Sequence, residues 1–239
     1  MRLRLARAAK RDDVDQTVRA YEHSSLPGGR TPWRGARWCA VDFETTGLDP
    51  RTDEIISFGA IPIQGGRVQL QVAASGQVRP SREIGEASIP VHGIRDTDVA
   101  SAPTLAAGID PLLEAITGRV LVVHCAAIDR PLLKRALREK GARLRQPFVD
   151  TEVLGRLWLH EREGTLRGGL ALGELAAALG IPAEQPHDSL ADALTTAQAF
   201  IALATHLDAR RPETVGSLVR ASDRVDAVRV FQHPFAHDR

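Results

Sequence analysis

Cysteine is almost missing from this chain, with two among 239 residues. That excludes a disulfide-stapled framework and a cysteine-rich zinc centre, and it suits a reducing cytosol. Aromatic residues make up only 4%, so a row of stacking platforms for a long single strand is not available. The net charge is +1, which argues against a strongly basic surface gripping nucleic acid along its whole length. No apolar run is long enough to cross a bilayer, and no Walker-type glycine loop occurs. Residues 1–35 lack the apolar h-region of a secretory signal. A cytoplasmic protein without membrane contact is the expectation. What the chain does have is 43% hydrophobic residues, enough to bury one sizeable α/β core.

The most informative stretch is Val41-Asp42-Phe43-Glu44-Thr45-Thr46-Gly47-Leu48, which follows the apolar run of residues 36–40. On a strand, residues i and i+2 share a face, so Asp42 and Glu44 project together. Two carboxylates side by side at the end of a mostly buried strand repel each other and resist desolvation. A hard divalent cation between them removes both costs. The plainer alternative is a strand end whose acids face water.

Two later segments carry matching groups. Val120-Leu121-Val122-Val123 reads as a buried strand, followed by His124 and by a helix in which Asp129 is a candidate N-cap and Pro131 suits the first turn. Asp129 therefore has a metal reading and a cap reading. Farther on, His187-Asp188-Ser189 opens an Ala/Leu-rich helix that Asp188 or Ser189 can cap. Asp192 then lies one turn inside, beside the stripe of Leu190, Leu194 and Ala197. His187, just before that helix, belongs to the residue type best suited to proton transfer near neutral pH.

In order and interval, Asp42-x-Glu44 with its Thr-Thr-Gly, Asp129 behind the His124 strand, and His187 with Asp192 resemble the three motifs of the DEDDh branch of DnaQ-like 3′→5′ exonucleases. The epsilon subunit of DNA polymerase III belongs to that family. Pro90-Val91-His92-Gly93-Ile94-Arg95-Asp96 and Ala102-Pro103-Thr104 resemble a further family segment, and the likeness extends over residues 36–205. It implies a ribonuclease-H-like mixed central sheet with the first three strands antiparallel and helices on its flanks. It also implies hydrolysis of DNA 3′ ends to nucleoside monophosphates, in proofreading or repair, with two Mg²⁺ or Mn²⁺ ions about 3.5–4 Å apart. In that scheme Asp42 bridges the ions, Glu44 and Asp192 complete the water-activating site, Asp129 supports the second ion, and His187 takes the water's proton. Thr45, Thr46, Gly47 and Leu48 would meet the terminal nucleotide, with His92 and Arg130 as further substrate contacts. Leu48 is either a wedge against the last bases or a turn residue packed on the core.

The middle motif departs from the family pattern, which often has Asn and Phe where this chain has Cys125 and Ile128. That leaves the metal carboxylate in place and bears on packing around the nucleotide. Cys125 reads as a small hydrophobe and not as a nucleophile. An RNA-trimming exonuclease and a non-catalytic polymerase-binding adaptor are the competing functions.

The frame around the motifs is consistent with one α/β unit. Residues 55–63 and 68–72 flank Gly65-Gly66 as a hairpin, residues 105–116 read as one helix, and residues 148–151 read as a short strand before helices at 152–162 and 170–179. Asp150 is a strand-end acid with a non-metal role. Outside the catalytic domain at 36–205 lie an extension at 1–35 and another at 206–239. The first carries eight Lys/Arg against four acids, a net +4. It reads as a basic amphipathic helix and linker that docks on the core, touches nucleic acid or binds a partner such as a polymerase. The second holds one helical pattern, then Val228-Arg229-Val230-Phe231 and a polar end. Arg130, Lys134 and Arg138 form a stripe that either follows the incoming phosphates or is simply solvated.

Overall fold

The computed structural model describes residues 16–47, 49–164, 168–182 and 187–229. Leu48, the basic pattern of residues 1–15 and Val230-Phe231 with the polar end lie outside the described residues. The chain runs from α1 (Gln16–His23) through β1 (Arg37–Thr45), β2 (Ile55–Gln64), β3 (Arg67–Val68) and β4 (Ala74–Gln77). Four short helices follow: α2 (Ile89–His92), α3 (Asp96–Val99), α4 (Leu105–Gly108) and α5 (Asp110–Ile116). Then come β5 (Val120–Val123), α6 (Ala126–Glu139), β6 (Phe148–Asp150), α7 (Thr151–Glu163), α8 (Leu172–Leu179), α9 (Ser189–Asp208) and α10 (Val215–Arg229).

The sheet order is β3-β2-β1-β5-β6, with β4 also paired to β2. β1, β2 and β3 are antiparallel, whereas β5 and β6 join in parallel. This is the mixed sheet that the motif resemblance implied. Side-chain alternation on β1 divides the interior into two layers. Cys39, Val41 and Phe43 enter a core shared with α1, α5 and α6. Trp38 and Ala40 enter the opposite core, where Phe200 of α9 lies with its ring centroid 4.7 Å from that of Trp38. Asp42 and Glu44 continue the parity of Trp38 and Ala40, so they emerge on the α9 face.

Three local expectations change. The run at 68–72 does not stay a strand: residues Leu70–Val72 form a 3₁₀ turn, and the chain rejoins β2 as β4. Pro62 supplies the reason. The Gln69 amide donates to the Pro62 carbonyl (2.8 Å), but proline has no N–H to return the bond, so the ladder stops there. Leu70 and Val72 are left more than half exposed, at 57% and 52%. The helix expected at 105–116 is split into α4 and α5 at Ile109, because Pro111 cannot donate back to the preceding turn. Asp129 is not a cap either. α6 begins at Ala126, leaving Asp129 inside the first turn and Pro131 within the helix.

The segments flanking the motif region pack on the same layers. Tyr21 of α1 is 1% exposed, and its hydroxyl donates to Gln146 Oε1 at 2.6 Å. Trp33 lies edge-on to Phe200, and Leu218 of α10 is buried in the α9-side core.

Candidate metal and nucleic-acid site

The site forms where β1 leaves the sheet. Asp42, Glu44 and Asp192 each bring a carboxylate oxygen within 4.8 Å of the others. β1 supplies the first two by strand parity, and the first turn of α9 supplies the third. Asp188 caps α9, its Oδ1 accepting from the Leu190 and Ala191 amides at 3.0 and 2.9 Å. That cap fixes where the helix starts and therefore which way Asp192 points. The helix start is also fastened to the sheet, with Ser57 Oγ and Ser189 Oγ 2.7 Å apart.

Asp129 arrives from the other side, at the start of α6, and is 6% exposed. The capping task it was free to perform belongs to Asp150. Asp150 Oδ1 accepts from the Cys125 amide (3.1 Å) and the Glu152 amide (2.9 Å), and Oδ2 accepts from the Ala126 amide (2.8 Å). One buried carboxylate thus caps both α6 and α7. Asp129 is left to face the acid cluster, outside the 4.8 Å trio but close enough for its charge to be felt there.

Crowding shows in the protonation equilibria. Burial, then Asp129, Asp192, Glu44 and Asp188, push the Asp42 carboxyl well above its ordinary range. Burial, then Asp192 and Asp188, raise Glu44 to about 7. Asp129 is raised by burial and by Asp150 and Glu44. Asp192 is also raised, chiefly by burial, although the His187 amide bond and the His187 ring oppose the rise. Four carboxylates that repel one another in a poorly solvated space form a set that divalent cations relieve, and all-oxygen ligation suits Mg²⁺ or Mn²⁺. The donor set therefore fits the ions that the sequence implied.

The remaining expected residues fall into distinct places. His187 is exposed at the start of α9 with φ 67°, and its amide donates to Asp192 Oδ2 at 2.8 Å. A left-handed backbone at a non-glycine residue is a strained conformation of the kind retained at functional sites. His92 is brought to the same region. Its Nδ1 accepts from the Ile94 amide (3.1 Å), which makes Nε2 the protonated nitrogen, and Nε2 is buried near the Thr45 backbone. Burial lowers its pKa, the Thr45 backbone works against this, and the His187 charge adds to the lowering.

Thr45 Oγ1 donates to the Gly47 carbonyl at 2.6 Å. Thr46 turns inward: its hydroxyl donates to Asp53 Oδ1 (2.9 Å) and accepts from the Glu54 amide (3.0 Å). With both roles filled, Thr46 holds the loop and is 2% exposed. Gly47 is needed because a Cβ there would lie 2.5 Å from Asp53 Oδ2. Arg130 is not gathered into the cluster; its guanidinium lies 5.4 Å from the Phe148 ring centroid, beside β6. Cys39 is buried in the sheet, and burial pushes its thiol up to about 12, which leaves it inert.

Sequence reasoning missed the double cap of Asp150, the loop anchor Asp53 and the Ser57–Ser189 contact. A fourth feature, the close approach of α9 to β2 at Gly59, where a Cβ would lie 2.6 Å from Leu190 Cα, did have a sequence signal, since a lone glycine inside an apolar strand marks a close backbone approach.

Comparison with known proteins agrees with this geometry. The family model described as "Exonuclease" matches residues 39–200. A DNA polymerase III subunit epsilon-like protein of Rhodobacter capsulatus is 35% identical over 192 residues, covering 79% of this chain and 27% of that protein. A PolC-type DNA polymerase III of Thermotoga maritima is 30% identical over 190 residues, covering 79% of this chain and 13% of that protein. The chain thus spans about a quarter or less of these two curated relatives. In fold, it is similar to exonuclease X solved in complex with 5′ overhanging duplex DNA, at a TM-score of 0.59 and 20% identity, covering 77% of this chain and 99% of that one. Among the described residues, no helix is long and apolar enough to cross a membrane.

Proposed function

The chain belongs to the exonuclease family, and from that premise we propose that it is a divalent-metal-dependent 3′→5′ exonuclease releasing nucleoside monophosphates from DNA 3′ ends. The observation that carries this reading is the convergence of Asp42, Glu44 and Asp192 within 4.8 Å, with His187 bonded through its amide to Asp192. Such a set has no evident structural purpose, since each carboxyl is destabilised by its neighbours.

Asp42, Glu44, Asp192 and Asp129 are the residues that would hold two Mg²⁺ or Mn²⁺ ions. When bound, the ions offset phosphodiester charge and acidify a water. His187 takes that water's proton. Water oxygen joins phosphorus, the P–O3′ bond to the penultimate nucleotide breaks, the freed 3′-oxygen takes up a proton from solvent to become a hydroxyl, and a 5′-monophosphate leaves. Thr45 and the Gly47 backbone meet the terminal nucleotide, and Thr46 holds that loop from behind. His92, packed against the Thr45 backbone, borders the terminal nucleotide. The catalytic unit comprises residues 36–205, with 1–35 and 206–239 as extensions, acting in the cytoplasm on DNA ends in proofreading or repair, beside a polymerase.

The test is degradation of 5′-labelled and 3′-labelled DNA and RNA oligomers with Mg²⁺ or Mn²⁺, next to Asp42→Ala and His187→Ala. A 5′-labelled DNA ladder shortening one nucleotide at a time, lost in both variants, is expected. Absence of metal-dependent cleavage by the intact chain sinks the proposal. Cleavage confined to RNA reassigns the substrate.

A further inference from the structure

Gly59 has no side chain to offer the reaction, yet it lies directly opposite Asp42 in the β1–β2 ladder. Directly paired residues share a face, so Gly59 points with Asp42 toward α9. There the first turn of α9 lies against the β2 backbone. A Cβ on Gly59 would stand 2.6 Å from Leu190 Cα and would run into the Ser189 carbonyl group. These are backbone atoms, which cannot rotate aside as a side-chain tip can. Ser57, two residues along the same face, reaches Ser189 through the 2.7 Å hydroxyl contact.

We infer that Gly59 is a positioning residue for the metal site: its missing side chain sets the distance between Asp192 on α9 and the Asp42–Glu44 pair on β1. The inference rests on the metal-site reading above and goes beyond it by assigning a spacing function to a residue outside the carboxylate set. A methyl at Gly59 forces the start of α9 outward by roughly 1 Å to restore ordinary contact. Asp188, Ser189 and Asp192 are joined by the cap and the first helical turn, so they move together. Mg²⁺–oxygen distances are about 2.0–2.1 Å and tolerate little distortion. Carboxylate oxygens already spread over as much as 4.8 Å have no such margin. The Ser57–Ser189 contact holds the helix at the position that Gly59 permits.

The experiment is Mn²⁺ titration of the full chain by calorimetry, or by the magnetic-resonance signal of free Mn²⁺. The parent, Asp42→Ala, Gly59→Ala and Gly155→Ala are compared. Gly155 is the packing control: a Cβ there would meet Leu175 Cδ1 at 2.7 Å and Leu170 Cδ2 at 2.9 Å, on α7. Gly59→Ala is expected to weaken Mn²⁺ binding at least roughly tenfold and to lower kcat on a DNA oligomer by about 100-fold. Gly155→Ala is expected to lose thermal stability and keep the parental Mn²⁺ affinity. Parental affinity in Gly59→Ala overturns the inference, as does an equal loss in Gly155→Ala. Should Gly59→Ala not fold, Ser57→Ala removes the fastening without a clash; a several-fold weaker affinity supports the inference, and an unchanged one overturns it. A parent that binds no Mn²⁺, or binds it equally after Asp42→Ala, removes the metal-site reading and the inference with it. That failure is distinct, because it is read before any Gly59 variant is measured.

Discussion

Raising the pH should destabilise the metal-free protein, and divalent cations should reverse the loss. Glu44 titrates at about 7 in the folded chain, against an ordinary 4.5, because it is buried beside Asp192 and Asp188. The native state therefore holds this proton more tightly than the unfolded state does. The resulting stability is fully present below pH 4.5 and is lost as pH rises through about 7. At about 1.4 kcal/mol per unit, the window amounts to roughly 3 kcal/mol, which screening at a partly open site reduces to about 2. Asp42, Asp129 and Asp192 shift in the same direction and steepen the fall. For a chain of this size, about 2 kcal/mol corresponds to a Tm drop of roughly 4–8 °C. Mn²⁺ must displace these protons, so its stabilisation should be small at pH 5 and full at pH 7.5, about 2.7 kcal/mol at 100 times Kd. Thermal unfolding in chelator and in Mn²⁺ across this range tests the argument, with Glu44→Gln expected to flatten the metal-free profile. A metal-free Tm that holds level or climbs from pH 4.5 to 7.5 refutes it, as does Mn²⁺ stabilisation that ignores pH.

Other outcomes follow from single residues. Cys125 sits at φ 80° just before α6, where a β-carbon costs about 1–2 kcal/mol and Asn or Gly fits better. Cys125→Asn should therefore raise Tm by about 2–4 °C, and a lower Tm in calorimetry counts against the strain argument. Asp150→Ala removes the cap of two helices and strands three amide hydrogens; urea unfolding should show a loss of about 2–4 kcal/mol. Asp53→Ala frees the Thr46 hydroxyl, the Asp49 amide and Arg82. It should raise KM for a DNA oligomer while leaving Mn²⁺ affinity at the parental value, and a shift in Mn²⁺ affinity would contradict the assignment of Asp53 to the nucleotide loop.

Much of this was legible in the chain because it is local. Strand parity alone places Asp42 and Glu44 together, and helical spacing alone places Asp192 one turn beyond the Asp188 cap. The proline at 111 was equally visible, yet the run at 105–116 still looked continuous, since an apolar period does not reveal which carbonyl goes unbonded. Pro62 acted across strands. Nothing in residues 68–72 themselves announces that the ladder ends opposite it.

Local sequence settles which groups carry charge, which face each takes within its own element, and that Asp42 and Glu44 form an acidic pair. Long-range packing is what makes Asp150 cap two helices and so release Asp129 from that task, turns the Thr46 hydroxyl to Asp53, and lays Arg130 beside Phe148. It also decided that a glycine 17 residues after Asp42 would let α9 approach. The physical reason is the range of the forces involved. Periodicity and capping act over one turn or two residues, whereas desolvation, cross-strand bonding and steric exclusion join residues that are distant in the chain and meet only when both layers have packed on the sheet.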